Sequence, residues 1–189
     1  MRNTAILAVA FCSFACAAAP AFAQRAPALG MWAVGGSAGA SLPTDPSLDK
    51  GLDVAASLEG YLTSRVSVRG QIGGSWWDIV GRNFTGTVTP LRLDGNLVYN
   101  WEGGRVHPYV TAGVGMYRYR STIAGAPDAR DTHAGFNVGG GIEYFFTRRA
   151  TVTGEALYHK VGAFNTPVTT FNDGSFWSID VGLKAYFGR

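Results

Sequence analysis

The sequence predicts an all-β chain: an eight-stranded antiparallel up-and-down barrel that crosses a membrane with strands, with short turns at one end and longer loops at the other. Three observations carry this. The apolar residues repeat with period two rather than 3.6, only 15% of the 189 residues are charged while 47% are hydrophobic, and the intervals between strand patterns alternate short and long. Glycine, at 26 residues, follows no Gly-X-Y period, which excludes collagen-like and low-complexity chains. The net charge of +3, with the arginines spread along the chain rather than clustered on one predicted helix or patch, excludes the basic stripe of a nucleic-acid binder.

The first element is a leader. Arg2 precedes an apolar run from Ala5 to Ala19, and Ala21-Phe22-Ala23 fits a signal-peptidase site. Residues 1–23 are therefore expected to be a cleaved signal peptide, and residues 24–189 the barrel domain of an exported protein. Both cysteines, Cys12 and Cys16, lie in the leader, so no disulfide or cysteine metal site is expected after it. No later apolar stretch approaches the length of a spanning helix.

The strands follow in order. Trp32, Val34, Gly36, Ala38 and Ala40 alternate with small residues, and Leu52, Val54, Ala56 and Leu58 alternate with Asp53, Ser57 and Glu59. Val66, Val68, Ile72 and Trp76 oppose Ser67, Arg69, Gln71 and Ser75, and Leu91, Leu93, Leu97 and Tyr99 oppose Arg92, Asp94 and Asn96. A fifth strand over 107–119 has two largely apolar faces. In the sixth, Phe136, Val138, Ile142 and Tyr144 oppose Asn137 and Glu143, and in the seventh Val152, Ala156 and Tyr158 oppose Thr151, Thr153, Glu155 and His159. The last sets Trp177, Ile179, Val181, Leu183, Ala185 and Phe187 against Ser178, Asp180, Lys184 and Tyr186.

Segments 63–65, 100–105 and 147–149 read as short turns, and 43–51, 78–87, 121–133 and 161–174 as longer loops. Short periplasmic turns and longer extracellular loops are the plan of an outer-membrane barrel. The polar faces are too sparse and too mixed in sign to be a soluble protein's only solvated surface, so they are expected to line the lumen. Aromatics at the turn ends (Trp32, Tyr61, Tyr99, Trp101, Tyr144, Phe146, Phe187) and at the loop ends (Trp76, Trp77, Tyr117, Tyr119, Phe136, Tyr158, Trp177) are expected to form two interfacial belts.

The stretches His107-Pro108-Tyr109-Val110-Thr111-Ala112-Gly113-Val114-Gly115, Phe136-Asn137-Val138-Gly139-Gly140-Gly141-Ile142-Glu143-Tyr144 and Gly154-Glu155-Ala156-Leu157-Tyr158 resemble the small eight-stranded outer-membrane β-barrel superfamily, the OmpA/OmpX-like surface proteins of Gram-negative bacteria. The final strand resembles the signal read by the barrel assembly machinery, with Gly182, Ala185 and Phe187 at its polar-x-Gly-x-x-apolar-x-aromatic positions, although Gly188 and Arg189 follow the aromatic. The resemblance implies the barrel assembly machinery, outer-membrane lipid and lipopolysaccharide as partners, and a monomer.

The candidate site is an interior charge network: Asp53, Glu59, Asp94, Glu143, Glu155 and Asp180 against Arg69, Arg92 and Lys184, with His159. Eight strands enclose a lumen just wide enough for side chains to fill, and each buried charge there must be paired. The three bases are expected to bridge the acids and plug the lumen, with the excess acids turning to water, His159 or Arg118. His159 above Glu155 is the one arrangement that suggests a general base; three dispersed histidines offer no metal site. No cofactor, metal or catalytic group is expected. The expected function is a non-enzymatic barrel that supports the envelope and presents loops. The alternatives are a narrow porin-like channel and a host-contact adhesin acting through loop 121–133.

Overall fold

The computed structural model describes residues 27–80, 85–101 and 103–188; the expected signal peptide lies outside them. Every regular element in them is a strand: β1 (Trp32–Pro43), β2 (Gly51–Tyr61), β3 (Val66–Asp78), β4 (Gly86–Asn100), β5 (Val106–Ile123), β6 (Ala129–Phe145), β7 (Ala150–Val161), β8 (Phe164–Asn165), β9 (Thr170–Phe171) and β10 (Phe176–Phe187). β1 to β7 and β10 close an antiparallel barrel in the order β1-β10-β7-β6-β5-β4-β3-β2, and β8 and β9 form a separate two-stranded hairpin. The seam pairs the first strand with the last, from Trp32 opposite Phe187 to Pro43 opposite Phe176.

Strict period-two patterning decides which face is which. Val34, Leu58, Ile72, Leu93, Val114, Ile142, Val181 and Leu183 are all exposed on the outside, whereas the polar residues between them are buried. That is the inverse of a soluble barrel and leaves an apolar outer band for lipid. Pairing satisfies the backbone within the sheet, and closure removes the free edges that lipid would not tolerate. The fifth strand resolves with Val110, Val114 and Met116 outside and Tyr109, Thr111 and Tyr117 inside.

Two expectations change. The belts are thinner than the sequence suggests: Trp32, Tyr99, Trp101, Tyr144, Phe146, Trp76, Phe136, Trp177 and Phe187 face outward, but Tyr61, Trp77, Tyr117 and Tyr119 are buried in the lumen. Adjacent residues of a strand face opposite ways, so Trp76 and Trp77 cannot both be in a belt. The long loop over 121–133 is also shorter, because β5 and β6 continue beyond the barrel as a paired hairpin whose tip is 124–128.

The lumen is layered. At the loop end, Leu48, Trp77, Ile79, Val88, Tyr117, Tyr119, Ile123, Val161, Phe164, Phe171 and Phe176 form one apolar cluster. Much of it comes from loops folded inward: Leu48 bridges to Ile79, and the β8–β9 hairpin inserts Phe164, which stacks on Tyr119 at 4.2 Å and on Phe171 at 4.9 Å. At the turn end Met31, Ala33, Tyr61, Phe145 and Tyr186 form a second cluster. The segment before β1 closes over it, with Gly30 N–H donating to the Tyr61 carbonyl at 3.0 Å. Between the two clusters lies the charged layer.

Candidate functional site: a charged layer inside the barrel

All ten residues proposed for the interior network point inward. Asp53 and His159 are fully buried, Glu59, Glu143, Arg69, Arg92, Asp94, Asp180 and Lys184 are buried, and Glu155 is half-buried. Their grouping follows from register. Arg69 of β3 lies opposite Glu59 of β2 and donates to it through Nε at 3.1 Å; its Nη1 bonds to Glu155 of β7. Lys184 of β10 donates to the same Glu59 at 2.7 Å and also binds Glu143 of β6. Ser67 completes the Glu59 carboxylate, and the Tyr186 hydroxyl donates to Glu143 at 2.6 Å. Two cations thus hold three carboxylates from three strands, and both sit over the Tyr109 ring, Arg69 at 5.2 Å and Lys184 at 5.5 Å.

A second group surrounds Arg92 of β4. Its Nη1 and Nη2 hold both oxygens of Asp53 at 2.7 Å, the fork geometry that makes arginine–carboxylate pairs strong. Ser75 donates to Asp53 as well, and Asp94 lies 3.5 Å from Arg92 Nε, an ionic contact only.

Interior glycines make these reaches possible. Arg92 lies opposite Gly73 of β3, and a Cβ there would stand 2.7 Å from the guanidinium carbon. Only a residue without a side chain lets Arg92 lie flat across β3 to Asp53 on β2. Tyr109 uses Gly141 in the same way: it lies opposite Gly141, which lies opposite Glu155, and its hydroxyl donates to Glu155 at 2.8 Å.

Three expectations need correction. Arg118 is exposed on the outer face, because its even position on β5 faces away from the lumen, so it cannot serve the excess acids. His159 does not answer them either: its Nδ1 is hydrogen-bonded to the Tyr117 hydroxyl at 2.9 Å and its Nε2 to Ser178 Oγ at 3.1 Å. Glu155, the suggested orienting carboxylate for His159, is engaged by Arg69 and Tyr109. Ser178 beside His159 is a pairing the sequence barely signals, since it depends on register between β7 and β10, which sets Ser178 opposite Leu157 and Phe176 opposite His159. Phe176 stacks on the His159 ring at 4.4 Å.

Asp180 keeps one buried oxygen without a hydrogen-bond partner, Asp94 both of its carboxylate oxygens, and Asn96 and Asn137 both polar atoms of their side-chain amides. Groups of this kind draw water into an interior. A cavity of about 20 Å³ lies among Arg69, Gln71, Tyr109, Glu155, Asp180 and Lys184, the room of a single water molecule. Among the described residues no three His, Cys, Asp or Glu side chains gather as a metal ion would require. Of the assembly-signal positions, Gly182 faces inward, whereas Ala185 and Phe187 face the lipid side of β10.

Solved structures repeat this architecture. OprG from Pseudomonas aeruginosa superposes with a TM-score of 0.70 at 14% identity, covering 86% of this chain and 98% of that one. Neisserial surface protein A gives 0.62 at 17% identity over 85% and 99%. Ail of Yersinia pestis, solved with the heparin analogue sucrose octasulfate, gives 0.60 at 10% identity over 84% and 99%. At these identities the likeness is one of fold. No curated protein matches the sequence. The family model for the outer membrane protein beta-barrel domain matches residues 8–187, nearly the whole chain. With an apolar outer band, a charged lumen and eight closed strands already in view, the chain belongs to the outer membrane protein beta-barrel domain family.

Proposed function

We propose that this protein is a closed, non-enzymatic barrel of the outer membrane that contributes to envelope structure and holds its loops at the cell surface. The carrying observation is the filled lumen: an aromatic cluster at each end and, between them, three cations bonded to carboxylates from β2, β4, β6 and β7. An ion crossing this section would have to part buried pairs at a cost of several kcal/mol each.

The same burial argues against catalysis. Ser178, His159 and Tyr117 form a hydrogen-bonded row, but Ser178 is 1% exposed and His159 and Tyr117 are wholly buried. A lipid substrate travels along the outer face and meets none of them.

The test is ion conductance of the folded protein in a planar bilayer. The expected record is flat, from protein whose folding is checked by heat-dependent gel mobility. Discrete, reproducible steps from the folded barrel would overturn this reading in favour of a narrow channel.

A further inference from the structure

Neighbouring strands disfavour like charges directly opposite one another. The outer face of the β5–β6 hairpin does the reverse. Arg120 and Arg130 are register partners, both exposed, and Arg118, two residues along β5 on the same face, is exposed as well. Asp128 accepts a hydrogen bond from Arg120 at 2.7 Å, and Arg118 has no ion pair among the described residues. Three guanidinium groups thus share one carboxylate. Asp128 itself is held below the usual carboxylate range by hydrogen bonds from Arg120 and Thr122, so it stays ionised and already engaged.

Their height on the barrel is as informative as their charge. Below them the outer face is apolar: Val110, Val114 and Met116 on β5, Leu93 and Leu91 on β4, and Val138 and Phe136 on β6 are all exposed. Arg118 lies opposite Leu91, the last apolar outward residue of β4 before Thr89 and Thr87. The first polar rung above the lipid-facing band therefore begins with an arginine, and the next carries the Arg120–Arg130 pair. At this depth the lipids of the loop-side leaflet carry their charged headgroups. Arginine stems can lie along the apolar surface while the guanidinium reaches the headgroup layer, and the guanidinium fork matches phosphate.

We propose that Arg118, Arg120 and Arg130 form a phosphate-binding site for a phosphorylated glycolipid of the outer leaflet, with its acyl chains against Leu91, Met116 and Phe136. The bound phosphate replaces the missing counter-charge between Arg120 and Arg130. The position at the edge of the apolar band favours a membrane lipid over a soluble polyanion, which would be met by the hairpin tip.

The test uses the full chain folded in neutral detergent micelles, titrated with bisphosphorylated lipid A and read by native mass spectrometry. The expected result is saturable retention by the unaltered protein and no retention of fully dephosphorylated lipid A. Combining Arg118→Gln with Arg120→Gln should weaken binding about 25-fold, at about fivefold per arginine. Asp128→Asn, which frees Arg120, should tighten it by up to about fivefold. Equal retention of the dephosphorylated lipid by the unaltered protein would overturn the site, whatever the variants do. So would unchanged binding by the double variant once gel mobility shows it folded. Displacement of lipid A by inorganic polyphosphate at matched phosphate concentration would overturn the assignment to a membrane lipid.

Discussion

The middle of the lumen and its two ends are filled by opposite chemistries. At the ends, rings stack on rings and each contact is local in kind: Trp77 meets Phe176 edge-on at 5.1 Å, and Phe145 lies 5.3 Å from Tyr186. In the middle, Glu59, Glu143, Glu155 and Asp53 each depend on a particular cation held by another strand, as Glu59 depends on both Arg69 and Lys184. Apolar packing can lose one ring and keep the rest. An ionic layer cannot lose one member without leaving another charge buried and alone. The ends should therefore yield piecemeal, and the middle should fail as a unit.

The largest expected effect is in the middle. Arg92→Leu strips Asp53 of its bidentate partner and Asp94 of its nearest cation, and should cost about 3–5 kcal/mol in urea unfolding followed by tryptophan fluorescence. Adding Asp53→Asn should recover a substantial part of that loss. If Arg92→Leu alone leaves the midpoint unchanged, the layer is not the interdependent unit described.

A smaller and local effect is expected at the loop end. Phe164→Ala removes the ring wedged between Tyr119 and Phe171, at a cost of about 3 kcal/mol to the packing of that cap. Segment 162–175 should become open to proteolysis while the barrel keeps its urea midpoint and its silence in a bilayer. A conductance appearing in this variant would mean that the cap, not the charged layer, seals the lumen.

The smallest effect is a pH dependence of the same cap. Partial burial tends to raise the Asp173 carboxyl, but hydrogen bonds from Ser175 and the nearby Lys160 charge hold it below the usual range. A lowered folded value means that the anchoring contribution is fully present above the ordinary carboxylate value of about 4 and is lost as pH falls through the folded value. Protection of 162–175 from an acid-active protease should be flat above that range and decline below it. Loosening on raising the pH would contradict the assignment of Asp173 as an anchor.

The alternation of faces was legible because lipid and lumen impose opposite chemistries on adjacent residues, so Leu91 and Arg92 cannot exchange sides. The interior charges were legible for the same reason. Partner choice was not: Arg92 finds Asp53 two strands away by crossing Gly73, a matter of register that strand patterns do not encode. The inward aromatics were misjudged because a tyrosine at a strand end suits an interface and a lumen equally well. The phase of Tyr117 and Tyr119 with Tyr109 and Thr111 was the available signal. Phe164 and Phe171, two rings in a loop rich in Thr, Asn and Gly, are the sequence signal of the inserted hairpin.

The seam between β1 and β10 gives the chain a way to register its own completion. Glu59 and Glu143 both bind Lys184, and Tyr61 lies 3.2 Å from Tyr186. The partners Lys184 and Tyr186 both arrive with the last strand. A chain halted before β10 would carry two acidic side chains into the membrane interior without their shared ammonium, as well as two open edges. Closure of the barrel and the pairing of these acids are thereby both tied to the last strand, Phe176–Phe187.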